Sequence, residues 1–134
     1  MMSRGHGANG RILYETEQEA MYEYCCYNLN QDNWEEAKNS FDGLIVVKKE
    51  CLIEPIIRTK TKKVGKNKRS IVKKIYLDID VSKLLENRQV EIVSSKYAWQ
   101  LWKEYDFMAF RLCEKIFKVY QEEGKLPNKI CWFS

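Results

Sequence analysis

The chain has 134 residues, 45% of them apolar and 13% aromatic, and its 23 basic against 19 acidic side chains leave a net charge of +4. That length suits one domain with a real core and is too short for two, and four Trp with eight Tyr exclude a wholly disordered chain. No apolar run approaches the roughly 18 to 20 residues that span a bilayer, and five irregularly spaced cysteines behind a polar opening, MMSRGHGANGRI, lead us to expect a cytoplasmic protein with reduced thiols and no membrane role.

Residues 1–10, with three Gly, Ser3, Asn9 and the sole His, read as a flexible N-terminal arm ahead of a single domain over 11–134. Thr16 and Glu19 have capping-box spacing, which predicts a helix over about 17–29 whose inward stripe is Met21, Tyr24, Cys25 and Leu29. Asp32 then caps a second short helix through Trp34 and Ala37, which closes before a turn at Asp42-Gly43.

Gly43 to Lys48 is short and β-branched, so it is expected as a strand buried on both faces. Pro55, which lacks a ladder donor, puts the next extended run at a sheet edge or bulge. A basic β-hairpin follows over 56–79, turning near Val64 to Asn67. On its return strand Ile71, Ile75, Leu77 and Ile79 are expected to face the core, with Lys74, Tyr76, Asp78 and Asp80 facing water.

Asp80 or Ser82 can cap a short helical turn through Leu84 and Leu85, and Val90 to Val93 reads as a last strand. From Ser94 or Ser95 a long helix is predicted over about 96–123, stopped by Gly124 with Pro127 beyond. Its stripe of Ala98, Leu101, Trp102, Tyr105, Met108, Leu112, Ile116 and Val119 leaves Trp99, Phe107, Phe110 and Phe117 on another side. Those four aromatics call either for cover from within the chain or for a homodimer contact. The apolar tail Ile130 to Phe133 should dock. The fold class expected is α+β: an antiparallel sheet of four or five strands with a long C-terminal helix and two shorter N-terminal helices.

Charge is distributed unevenly along this chain. Seven acids and no base lie between Glu15 and Ala37, whereas nine cations and no acid lie between Arg58 and Lys74. Concentrating like charge in one hairpin costs self-repulsion that an anion would relieve. Arg58, Lys60, Lys62, Lys63, Lys66, Lys68, Arg69 and Lys74 are therefore assigned to an anion-binding surface, with Arg58, Lys60 and Lys62 on one side and Lys68 and Lys74 joining them. Lys point charges with few Asn or Gln favour phosphates over base edges. Cations also protect exposed strand edges, but far fewer than nine suffice for that.

Other chemistries are weaker. Gly65-Lys66 lacks the second Gly and the following Ser or Thr of a nucleotide-binding loop. Asp78 and Asp80 share a strand face and could hold Mg²⁺ for a nuclease, though no acid-x-Lys pattern accompanies them. Adjacent Cys25 and Cys26 cannot both point one way, so no thiol metal site is expected, and His6 lies in the arm, away from any nucleophile.

The expectation is thus a binding protein rather than an enzyme, with no cofactor and no metal. Its hairpin would engage nucleic acid or a nucleoprotein complex, in the manner of a small regulator or inhibitor of the kind phages and mobile elements carry. The alternatives are a nucleotide-sequestering protein with a basic pocket, and a protein inhibitor acting through the acidic helix at Glu17, Glu19 and Glu23.

Overall fold

A computed structural model describes residues 4–134. Five antiparallel strands form the main sheet, ordered β6-β3-β2-β1-β9, from β1 (His6–Glu15), β2 (Glu19–Asn28), β3 (Gly43–Lys48), β6 (Val90–Val93) and β9 (Lys129–Phe133). Two small sheets stand apart: β4 (Ile56–Val64) with β5 (Asn67–Ile75), and β7 (Leu101–Trp102) with β8 (Tyr105–Asp106). The helices are α1 (Trp34–Lys38), α2 (Val81–Glu86) and the long α3 (Phe107–Glu123). The expected α+β class, an antiparallel sheet of four or five strands and a long C-terminal helix are present, but the basic hairpin expected within that sheet stands outside it.

The N-terminal third differs from the expectation. Residues 19–28 form a strand instead of a helix, because their side chains alternate: Ala20, Tyr22, Tyr24 and Cys26 enter the core, and Cys25 and Tyr27 are buried on the other face. Tyr22 is fully buried, which the helical stripe left out. Thr16 and Glu19 serve a hairpin turn, not a cap. The Thr16 hydroxyl accepts from the amides of Gln18 and Glu19, at 3.2 and 3.1 Å, and closes β1 onto β2. The N-terminal region therefore holds one short helix, α1, rather than two.

The expected arm is likewise structured from His6 onward, where residues 6–10 make the first half of β1 between β2 and β9; Met1 to Ser3 lie outside the described residues. Glycine is used there for close approach. A Cβ on Gly7 would stand 2.7 Å from the Tyr27 hydroxyl and 2.8 Å from the Trp132 carbonyl oxygen.

α3 lies on the face of the sheet that carries Tyr22, Tyr24, Ile45 and Val47, and it inserts Met108, Leu112, Ile116 and Phe117. Each such fully buried side chain contributes about 1.5–3 kcal/mol, so this layer holds the fold together. The helix starts at Phe107 instead of Lys96, since the Asp106 carboxylate accepts from the Met108 amide at 3.0 Å and ends the preceding hairpin. Upstream, Trp102 packs against Tyr105 and Phe110 as a two-stranded flap. Gly124, at φ 76, ends α3 as expected, and β9 is the docked tail.

The aromatics offered for a dimer contact are absorbed within the chain. Phe110 and Phe117 are buried, Trp99 and Phe107 pack partly buried against the core, and Trp99 meets the His6 ring edge-on. Among the described residues no helix is long and apolar enough to cross a membrane. All five cysteines are free thiols, with Cys25, Cys26 and Cys113 buried; burial pushes their pKa values up.

Candidate nucleic-acid interface

β4 and β5 pair with each other and with no strand of the main sheet. They are joined by the two-residue turn Gly65-Lys66, where Gly65 takes φ 62, the positive φ that the first central position of a tight hairpin turn requires. Every residue of β5 except Ile75 is exposed, as are Ile56 to Lys63 on β4. The core-facing row expected on the return strand is absent. Ile71 and Val72, neighbours on opposite faces, are 51% and 61% exposed, so neither face packs on the body.

The register fixes which cations share a face, since residues paired across an antiparallel ladder project to the same side. Arg58 is opposite Lys73, Lys60 opposite Ile71, and Lys62 opposite Arg69. One face therefore carries Arg58, Lys60, Lys62, Arg69 and Lys73. The other carries Lys63 opposite Lys68, with Lys74 opposite Ile57, and Lys66 sits in the turn. Sequence reasoning placed Lys68 and Lys74 with Arg58, Lys60 and Lys62; the two-residue turn instead matches even numbers on β4 with odd numbers on β5. Lys73, outside the predicted set, joins the richer face at its body end, opposite Arg58.

Three of these pairs, Arg58 with Lys73, Lys62 with Arg69 and Lys63 with Lys68, set like charges directly across the ladder. Like charges so placed are destabilising, by an amount on the scale of about 0.2–1 kcal/mol per pair. Among the described residues no salt bridge joins a ribbon cation to an acid; the four ion pairs present involve other residues. A lone two-stranded hairpin is marginal in water even without such repulsion.

Both feet of the ribbon are held by consecutive residues of α3. Before β4, the Tyr120 hydroxyl donates to Glu54 Oε1 at 3.0 Å, and this bond raises the tyrosine pKa. After β5, the buried Gln121 side chain clasps the backbone of Leu77, accepting from its amide at 2.7 Å and donating to its carbonyl at 2.8 Å. Nothing in the local sequence marks Tyr120 and Gln121 for this work beyond their place on the helix.

The remaining candidates fall elsewhere. Asp80 is committed to capping α2, accepting from the Ser82 hydroxyl and the Lys83 amide, and these bonds lower its pKa. Asp78 lines a groove between residues 76–79 and α3. Among the described residues no group of three or more His, Cys, Asp or Glu is placed to hold a metal. The acids expected on a helix lie on the β1–β2 turn and on β2, where Glu23 pairs with Arg11 and Glu19 accepts from the Tyr14 hydroxyl. No acidic helix exists at 17–29. The chain matches no family model, no curated protein and no solved structure.

Proposed function

We propose that this is a non-enzymatic nucleic-acid-binding protein that lays the Arg58, Lys60, Lys62, Arg69 and Lys73 face of its ribbon against a phosphate backbone, free or within a nucleoprotein complex. The observation that carries this reading is the row of directly opposed cations with no acid among them. An arrangement that weakens the free hairpin is relieved when polyanion phosphates settle between the charges. Spacing supports it: alternate residues along a strand are about 6.8 Å apart, close to the axial rise of two phosphates at about 3.4 Å each on one nucleic-acid strand. Lys dominates the row, so contacts position the backbone and read little sequence. Such a domain acts by occupying its target, as a regulator or inhibitor does.

Fluorescence anisotropy with a labelled 20-nucleotide DNA or RNA tests this directly. Binding at 50 mM salt that weakens steeply toward 200 mM is the expected result. A protein that binds neither polymer at 50 mM salt refutes it.

A further inference from the structure

The ribbon ends at Ile75, and the next four residues, Tyr76 to Ile79, form one wall of a groove of about 550 Å³ whose opposite wall is α3. That volume lies within the roughly 300–1,000 Å³ typical of small-ligand sites. Three aromatic residues line it: Tyr76, which is 45% exposed, the half-buried Trp132 of β9 and the buried Phe117 of α3. The polar groups are mixed. Lys115 is engaged with the Cys131 carbonyl, Lys118 is exposed, and Asp78 and Glu114 put two carboxylates in the same lining.

Arg111 completes the set. Its guanidinium stands 4.8 Å from the Phe107 ring and 5.8 Å from that of Trp132, and one Nη reaches Glu114 at 3.5 Å. Its Nε–H is buried and has no hydrogen-bond partner among the described residues.

The groove's two carboxylates offset two of its three cations, so this lining attracts a phosphate far less than the acid-free ribbon does. It suits the other half of a nucleotide. Ring faces stack on any base, carboxylates accept from exocyclic amino groups, and the terminal Nη groups of Arg111, on a side chain that is 39% exposed, can donate to a ring nitrogen or carbonyl. Bases in a duplex are stacked and paired away from such a groove, whereas those of a single strand can turn into it.

We infer that the groove takes an unpaired base from the same strand whose phosphates lie on the ribbon, so that the partner is single-stranded. This rests on the ribbon reading above and extends it. The ribbon supplies charge and the groove at its foot supplies the distinction between unpaired and paired bases.

The test compares a 20-nucleotide single strand, the duplex of the same length and a mononucleotide at matched salt, using the parent and the variants Tyr76→Ala and Trp132→Phe. Tyr76 is exposed on one side, so its truncation spares the fold, and Trp132→Phe keeps a ring in the sheet. The parent should prefer the single strand. Tyr76→Ala should weaken single-strand binding by about 5- to 150-fold, the effect of losing one stacked base, and leave duplex binding and its salt slope unchanged. Trp132→Phe should weaken it less. Equal affinity for single strand and duplex, unaltered by either variant, overturns the groove assignment and leaves the ribbon standing. A mononucleotide held as tightly as the strand overturns it too. Failure of every polymer to bind at 50 mM salt is the distinct result that removes the ribbon reading.

Discussion

Two triple variants, each lowering the net charge from +4 to +1, separate a charged face from mere overall charge. The first replaces Lys60, Lys62 and Lys73 by Ala on the five-cation face; the second replaces Lys63, Lys68 and Lys74 on the other. Each phosphate neutralised contributes about −0.9 to the slope of log K against log salt on duplex and about −0.7 on single strands. Five contacts therefore give slopes of about −4.5 and −3.5, or losses of about 500-fold and 130-fold between 50 and 200 mM salt. The first variant keeps Arg58 and Arg69, so its slope should fall to about −1.8 on duplex and −1.4 on single strands. The second should keep the parent slope. Anisotropy titrations at four salt concentrations measure all three proteins. If both variants shift the slope equally, the pairing register does not define the binding face and the reasoning is wrong.

Further outcomes follow from neighbouring features. Arg69→Glu replaces a like-charge pair with Lys62 by an opposite-charge pair; amide exchange across 58–74 should slow, by up to roughly 1 kcal/mol in opening free energy, while nucleic-acid affinity falls. Gln121→Ala removes both hydrogen bonds to Leu77, which should cost roughly 1–3 kcal/mol by denaturant titration and speed exchange at the Leu77 amide. Asp106→Ala takes the cap from the Met108 amide and leaves the O–H of buried Tyr24, which donates to Asp106 Oδ2 at 2.8 Å, without its acceptor, while the Tyr24 oxygen still accepts from the Ser95 amide at 3.0 Å. A loss of roughly 2–4 kcal/mol is expected from cap and unpaired hydroxyl together.

Asp106 also sets a pH dependence. Burial raises its pKa above the ordinary 3.8, with the Tyr24 and Met108 hydrogen bonds opposing the rise. The folded carboxyl thus holds its proton to higher pH than the unfolded one. The stability this confers is complete below about 3.8 and is lost as pH rises through the raised folded value. Asp106→Asn, measured by thermal melts across that interval, should flatten this component; a parent slope that the substitution leaves untouched would remove Asp106 as its source.

Much of the architecture was legible where chemistry and periodicity agreed. The β-branched run at 43–48, the Asp80 cap, the Gly124 stop and the Gly65 turn all appear where expected. The misreadings share a cause: local signals serve more than one structure. Thr16 with Glu19 is as good a turn as a cap, and the aromatics before Asp106 keep helical spacing while folding as a flap. Glycines in β1 resembled a mobile arm because the space they leave is filled by residues far away in sequence, Tyr27 and Trp132 at Gly7 and Ile130 at Gly10. At the candidate site the cationic run was plain, but the faces depended on a turn length that shifts every partner by parity. The groove was hidden altogether, since Tyr76, Arg111 and Trp132 meet only through the tertiary fold.

The tight Gly65-Lys66 bend constrains how this protein can change over time. A single residue gained or lost within β4 or β5 would turn the outer part of that strand over and scatter the charge row between two sides. Lengthening each strand by two residues would preserve it. Natural variation in ribbon length should therefore come in even steps, and a library of random insertions between 58 and 73 should retain binding in the same alternating pattern.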